Sequence, residues 1–211
     1  EDLMALVFGE KIRSIKFFQF GLFNFLGTEQ VIARSGYSKQ DGFEIYFSGF
    51  EMGEKLWDKI WEAGKNFNIL PGSPNLIDRI EAGLLSYGNE FTRENNPFEC
   101  NLGKFCTEGS SHNFIGKSAL QKIKTEGVKK KIRGILFDGK PCFACEKPFP
   151  VFSTNKKIIG KITSGIYSPR LKKNIGLSMI SECSWDVGRE LIINVSETNE
   201  RRGIISSLPF E

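Results

Sequence analysis

The chain has 211 residues, 40% of them hydrophobic and 26% charged, with a formal net charge of +4. That is an ordinary globular composition with room for one large or two modest domains, and no apolar run approaches the length that spans a bilayer. Residues 1–111 carry 11 Lys and Arg against 16 Asp and Glu, residues 112–211 carry 18 against 9, a step that favours two domains with different surfaces.

The opening EDLMALVFGE has no basic region ahead of an apolar core, so it does not read as a signal peptide. Residues 2–8 read as the end of an amphipathic helix, which suggests chain missing upstream. Lys16–Phe25 is strand-like and rich in aromatics. Leu26-Gly27-Thr28 is a turn, and Glu29–Arg34 returns as the second strand of a hairpin. Gly42–Ser48 is a further strand after the Lys39–Gly42 turn. Glu51–Ala63 is a helix in which Met52, Leu56 and Ile60 repeat at i, i+4, i+8, with Trp57 and Trp61 beside them, a stripe expected to be core. Gly64 fits the residue just past its end.

The next helix starts at Ser73-Pro74, with Leu76, Ile77, Ile80 and Leu84 on its buried face and Gly83 marking a close approach or the helix end. Residues 88–109 are irregular and polar, with Asn95-Asn96-Pro97 as a turn, and Ile115–Thr125 is a short helix. Beyond it short β-like runs alternate with turns, at 132–137, 149–153, 158–163, 174–180, 190–195 and 202–207. That spacing predicts a small antiparallel barrel or sandwich, with the boundary near Gly127.

Strong catalytic constellations are lacking. The single histidine, His112, lies in a polar stretch and reads as an exposed linker residue. There is no phosphate-binding loop and no G-x-G-x-x-G after a strand. Five cysteines without a secretory signal favour a reducing, cytoplasmic setting. Cys142 and Cys145 form a C-x-x-C in a proline-flanked loop with no second pair, so no metal site is expected and chance spacing outweighs a redox role. The lysines of the second half are scattered through turns, which argues against nucleic acid as a partner.

The stretch ARSGYSKQDGFEI, residues 33–45, is the most informative. Glu44 enters a strand beside Phe43 and Ile45, so it points to water or finds a partner. A planar pair of N–H donors on a heterocycle would suit it, with Tyr37 nearby and Phe17, Phe18, Phe20, Phe23 and Phe25 as candidate walls. The plainer alternative is a surface ion pair with Arg34 or Lys39.

The same stretch, with Tyr46, resembles the signature of the glycine cleavage T-protein family of folate-dependent aminomethyltransferases. The order downstream is similar to that family's: Leu56-Trp57, then Arg79-Ile80-Glu81-Ala82-Gly83-Leu84 and Tyr87-Gly88-Asn89, then Asn96-Pro97-Phe98-Glu99. Phe114-Ile115-Gly116-Lys117, Thr163-Ser164-Gly165, Ser168-Pro169, Lys173-Asn174-Ile175-Gly176 and Leu208-Pro209-Phe210 follow. The resemblance implies an α+β fold: residues 1–127 as the second half of a T-protein-type folate-binding domain, and residues 128–211 as a small antiparallel β-barrel domain.

It further implies tetrahydrofolate as cofactor, Glu44 as the carboxylate that holds the pterin edge, and Tyr37 as the pocket tyrosine. Arg79 reads as structural, tying helix to sheet. The family's catalytic aspartate belongs to an N-terminal half that this chain lacks, so no catalytic residue is expected within it and the chain alone is expected to be inactive. Glycine-cleavage members usually carry arginine where Asn75 stands and tryptophan where Lys104 stands. Those departures, with the wording of Pro71–Arg79 and Leu85–Gly88, resemble the dimethylsulfoniopropionate demethylase branch. The implied partner is a small methyl or aminomethyl donor. A lipoyl carrier protein is implied only by the glycine-cleavage alternative, and a non-catalytic folate-binding relative is the third reading.

Overall fold

Alternating apolar residues in the first third of the chain build a sheet with one covered face, and the run of short strands in the last third closes on itself. The computed structural model describes residues 1–38, 40–47, 49–72, 75–106 and 112–210. Packing divides the chain into two compact units, Glu1–Pro74 and Asn75–Glu211.

The first unit contains helix α1 (Asp2–Phe8), strands β1 (Phe20–Phe25), β2 (Thr28–Ala33) and β3 (Glu44–Tyr46), and helix α2 (Phe50–Gly64). The three strands form one antiparallel sheet in the order β1-β2-β3. Leu26 (φ 51°) and Gly27 (φ 81°) are the two loop residues of the β1–β2 hairpin. Positive φ at both positions matches the twist of the flanking strands, and glycine takes it without a Cβ clash. The strand expected from Lys16 begins only at Phe20, because the chain turns at Phe17-Phe18 and Phe18 sits at φ 62°.

Register decides what faces where. Phe20 pairs with Ala33 and Leu22 with Val31 across the hairpin; Ala33 pairs with Glu44 and Val31 with Tyr46 across the next ladder. Side chains alternate along a strand and directly paired residues share a face. Phe20, Leu22, Val31, Ala33, Glu44 and Tyr46 therefore lie on one face. Gly21, Phe23, Ile32 and Ile45 lie on the other, where Phe23 and Ile32 pack with Ala5, Ile12 and Ile15 in a buried cluster flanked by Phe43 and Ile45.

Two expectations for α2 change. Leu56 is buried, but Trp57 and Trp61 are 58% and 41% exposed and are not core. Gly64 is helical at φ −81° rather than left-handed. Its role is packing, since a Cβ there would overlap the Ile69 side chain.

The second unit holds α3 (Leu76–Glu81), α4 (Lys117–Glu126) and six strands: β4 (Lys130–Phe137), β5 (Phe149–Ser153), β6 (Ile158–Ser168), β7 (Lys173–Ser181), β8 (Glu190–Ser196) and β9 (Asn199–Ser206). They close into an antiparallel barrel in the order β4-β7-β6-β5-β8-β9, which is the barrel that the resemblance implies and one of the two arrangements, barrel or sandwich, that the spacing allows. Closure removes the free strand edges that an open sheet would leave. Ile135, Phe137, Val151, Ile162, Ile180, Leu191 and Ile193 fill its interior.

A second cluster lies outside the barrel, where Ile80 of α3 and Phe210 pack on Ile132, Ile175 and Leu177. This covering explains why β7 is buried at five successive positions instead of alternating. The pattern change near Gly127 coincides with the end of α4, while the division by packing falls earlier. The segment after α3 is tied to β4: Ile132 N–H donates to the Glu99 carbonyl at 2.7 Å, and the Asn101 amide donates to the Ile132 carbonyl at 3.1 Å. The N-cap of α3 is Asn75, whose side chain accepts from Ile77 N–H at 2.9 Å; Ser73 and Pro74, where the sequence sets the start, lie outside the described residues.

The Arg79–Leu84 block is held at three residues, Arg79, Glu81 and Gly83. Arg79 donates to Glu90 at 3.2 Å, to the Leu84 carbonyl at 3.0 Å and to Ser164 Oγ at 2.6 Å. Glu81 accepts from Ser168 Oγ and from Arg170, each at 2.5 Å, while its carbonyl accepts from Phe210 N–H at 2.8 Å. Gly83 has φ 68°, and a Cβ there would press on Leu208 at 3.1 Å. Glu90 is fully buried and also accepts from Ser86 N–H, Thr163 Oγ1 and Ser164 Oγ. The register of β6 on β7 shifts between Ile162 and Ser164. That bulge re-aims the local side chains, and both bulge hydroxyls reach the one carboxylate.

The loop between β2 and β3 is held by a two-pronged ion pair. Arg34 Nε and Nη2 contact the two oxygens of Asp41 at 3.0 and 2.7 Å. Arg34 also contacts Glu1, and its guanidinium lies 5.6 Å from the Phe43 ring centroid. The hydrogen bonds from Arg34 hold the Asp41 carboxyl below its usual range.

Two predictions follow from these ties. Removing one partner of the Arg79–Glu90 pair strands a buried charge, so Arg79→Met should lower the unfolding free energy by about 3–5 kcal/mol in urea titrations. Adding Glu90→Gln should restore part of the loss, and strictly additive losses would refute the coupling. For the loop, Asp41→Asn should speed amide exchange across residues 34–44 at neutral pH. Because the folded pKa of Asp41 is depressed, the clamp is intact above the ordinary carboxylate range and weakens as pH falls through the lowered value. Exchange in the two proteins should therefore converge in acid; a difference that persists there assigns the effect to something other than the pair.

Candidate functional site

Glu44 is the first residue of β3, partly buried, on the outward face of the three-stranded sheet. Its cross-strand neighbour is Ala33, a small side chain that leaves the carboxylate room. Phe20 and Leu22, 70% and 48% exposed, and Tyr46, 57% exposed, stand on the same face. Ser35 Oγ donates to Glu44 Oε2. Among the described residues Oε1 has no hydrogen-bond partner and Glu44 makes no ion pair. Arg34, offered as its surface partner by the plainer reading, is taken by Asp41 and Glu1; Lys39 lies outside the described residues.

The result is an acceptor oxygen on an apolar, aromatic face. A carboxylate there can receive two parallel N–H groups from a flat heterocycle, a charge-assisted arrangement stronger than neutral hydrogen bonds. Tyr37 stands in the turn between the clamp residues, with its ring half exposed. The candidate walls divide: Phe17, Phe18 and Phe20 are exposed, whereas Phe23 and Phe25 are buried on the other face and packed near Phe8, so they cannot line this site. Sequence reading missed Ser35. Its position two residues beyond β2 is what lets it meet the side chain of the first residue in β3.

Asn75 and Lys104 belong to the second unit. Asn75 caps α3, and Lys104 is exposed with its ammonium 5.0 Å from the Phe105 ring centroid. A cleft of about 730 Å3 opens in the same unit between the 141–150 segment and residues 194–197. Cys142 and Cys145 line it, and burial pushes both thiols up. Cys145 Sγ also accepts from Gly165 N–H at 3.1 Å. Protonated thiols are poor nucleophiles and poor metal ligands at neutral pH. Among the described residues no group of three or more His, Cys, Asp or Glu side chains could hold a metal ion, and no helix is long and apolar enough to cross a membrane.

Comparison with known proteins bears on the family and the fold. Residues 1–109 match the GCVT N-terminal domain, and residues 130–210 match the glycine cleavage T-protein C-terminal barrel domain. The chain is 44% identical over 188 residues to the dimethylsulfoniopropionate demethylase DmdA of Ruegeria pomeroyi, covering 89% of this chain and 50% of that protein. It is 39% identical over 196 residues to an aminomethyltransferase of Caldanaerobacter subterraneus, covering 90% and 50%. The glycine cleavage system aminomethyltransferase T of Bartonella henselae has the same fold, with a TM-score of 0.74 at 21% identity over 94% of this chain and 54% of that one. The chain spans about half the length of the curated relatives it matches. With both domain models matched in order, the chain belongs to the glycine cleavage T-protein family.

Proposed function

We propose that this chain is part of a tetrahydrofolate-dependent one-carbon transferase and that Glu44 holds the pterin. The observation that carries the reading is the Glu44 oxygen that has no partner among the described residues, on an aromatic sheet face. Its fit to the cofactor is chemical: the pterin edge offers a ring N–H beside an exocyclic amine, and a carboxylate accepts from both. Ser35 fixes one oxygen, and the Arg34–Asp41 clamp fixes the loop on which Tyr37 stands. Tyr37 lines the pocket in this reading. Bound tetrahydrofolate would supply the nitrogen that accepts the one-carbon unit.

The chain's own contribution is binding and orientation, and rate enhancement by such positioning rests on proximity rather than on an acid or base. Residues 1–127 are read as the cofactor-binding part and residues 128–211 as the barrel domain. No catalytic residue is assigned within the chain, which is read as inactive without the rest of its relatives' length, in a cytoplasmic setting.

The donor we favour is a methyl group on a sulfonium of the dimethylsulfoniopropionate type. Higher identity to the demethylase than to the aminomethyltransferase supports it, as do Asn75 and Lys104 where the glycine-cleavage pattern differs. Aminomethyl transfer from a lipoyl carrier is the second reading, supported by the aminomethyltransferase relatives. A folate-binding relative without turnover is the third.

Calorimetry of the whole gene product with tetrahydrofolate tests the cofactor assignment. Glu44→Gln should weaken binding by about 10- to 100-fold, the worth of a hydrogen bond to a charged group. Affinity unchanged by that substitution would remove Glu44 from the site. Methyl-tetrahydrofolate formed from dimethylsulfoniopropionate then separates the demethylase from the other two readings.

A further inference from the structure

The outward side of α2 carries groups that the Glu44 face does not use. Phe50, Glu54, Trp57 and Asp58 recur at i, i+4, i+7 and i+8, so they share one side of the helix. Phe47 follows β3 and lies against the same helix, since a Cβ on Gly53 would meet its ring at 2.8 Å. These residues line a groove of about 410 Å3. The three rings are 46%, 86% and 58% exposed for Phe47, Phe50 and Trp57. Trp61 stacks on Trp57, with centroids 6.3 Å apart and planes within 5°.

Two carboxylates complete the rim. Among the described residues neither Glu54 nor Asp58 makes an ion pair or a side-chain hydrogen bond, although Lys55 and Lys59 follow them one residue on, about 100° round the helix. Like charges at i, i+4 weaken a helix, and a cation between them relieves that repulsion. Ring faces attract cations through their quadrupole. A primary ammonium gives up strong hydration to lie on such walls, whereas a methylated onium presents weakly hydrated methyl groups to them.

We propose that this groove binds a methylated onium cation, a sulfonium or quaternary ammonium group, with Phe47, Phe50 and Trp57 against the methyls and Glu54 and Asp58 as counter-charge. Phe47 turns toward α2, away from the sheet face that carries Glu44 and Tyr46, so the site is separate from the proposed folate site and independent of that reading.

The three tryptophans are Trp57, Trp61 and Trp185, so fluorotryptophan labelling gives two reporters at the groove and one in the barrel. Titration with tetramethylammonium or trimethylsulfonium chloride should shift the Trp57 and Trp61 fluorine signals saturably and leave Trp185 unmoved. The doubly neutralised variant Glu54→Gln/Asp58→Asn, altered only at exposed positions, should raise the dissociation constant at least about threefold. The neutral isostere tert-butanol should give no saturable shift. Equal shifts with tert-butanol or with sodium chloride would overturn the proposal. So would signals that respond only to protein concentration, which mark the stripe as a contact between copies of the chain.

Discussion

The sheet face that carries Glu44 depends on one constraint, the pairing register of a three-stranded sheet. A strand has a side-chain period of two, so a slip by one residue exchanges its faces. Burial of Phe23 and Ile32, with Ile45 packed beside them, sets the register from the inner side. Glu44 and Tyr46, one residue to either side of Ile45, are then forced outward with Phe20 and Leu22. The core thus positions a carboxylate that it does not touch. Burying each large apolar side chain is worth about 1.5–3 kcal/mol, and a slip that put Glu44 inward would add the cost of an unpaired buried charge. Both effects act in the same direction, which makes the outward carboxylate a consequence of the fold rather than of its own contacts.

The loop that feeds β3 needs a separate device, because only three residues of that strand are paired. The two-pronged Arg34–Asp41 contact supplies it, closing the segment that carries Ser35 and Tyr37. In the second unit a buried network takes the corresponding part. Arg79, Glu90, Thr163 and Ser164 satisfy one another across 85 residues of sequence, joining α3, the segment after it and the bulge in β6. A buried network of this kind favours one arrangement strongly only when every member is satisfied. Glu90 reaches that state with four donors.

Much of this organisation is legible from residues alone. The six barrel strands follow from evenly spaced β-like runs and turns, and α2 from the Met52, Leu56, Ile60 repeat. The misreadings have identifiable physical causes. Trp57 and Trp61 look like core because periodicity reports that a helix has an apolar side without saying what covers it. Phe23 and Phe25 look like pocket walls because alternation separates two faces without naming the exposed one; only the cluster beneath β1 decides. Gly64 looks like a left-handed cap, whereas the crowding by Ile69 that requires it comes from five residues further on. Glu90 was hidden in a polar stretch because its partners lie at 79, 163 and 164, and its burial is a property of the folded barrel. Local physics alone favours a surface pair for Glu44, and it is the resemblance that implies a ligand there.

Of the two cations offered for that surface pair, Arg34 is occupied elsewhere. An arginine one residue beyond β2 is the obvious neighbour for a carboxylate that opens β3, yet its guanidinium turns to Asp41 and Glu1. A fork has a limited number of donors in one plane, and the bidentate contact with Asp41 uses two of them. Asp41 therefore does two things at once: it closes the loop, and it engages the Arg34 guanidinium that could otherwise pair with Glu44. Had Arg34 paired with Glu44, the carboxylate would have been neutralised within the protein and poorly suited to accept a ligand's N–H groups. Among the described residues the Glu44 carboxylate is instead oriented by a neutral hydroxyl, which directs one oxygen without pairing it with a cation. An anionic acceptor with a fixed direction on an apolar face is what recognition of a flat, donor-edged heterocycle demands, and the local sequence Arg-Ser-Gly-Tyr followed by Asp-Gly-Phe-Glu provides it through the division of labour between Asp41 and Ser35.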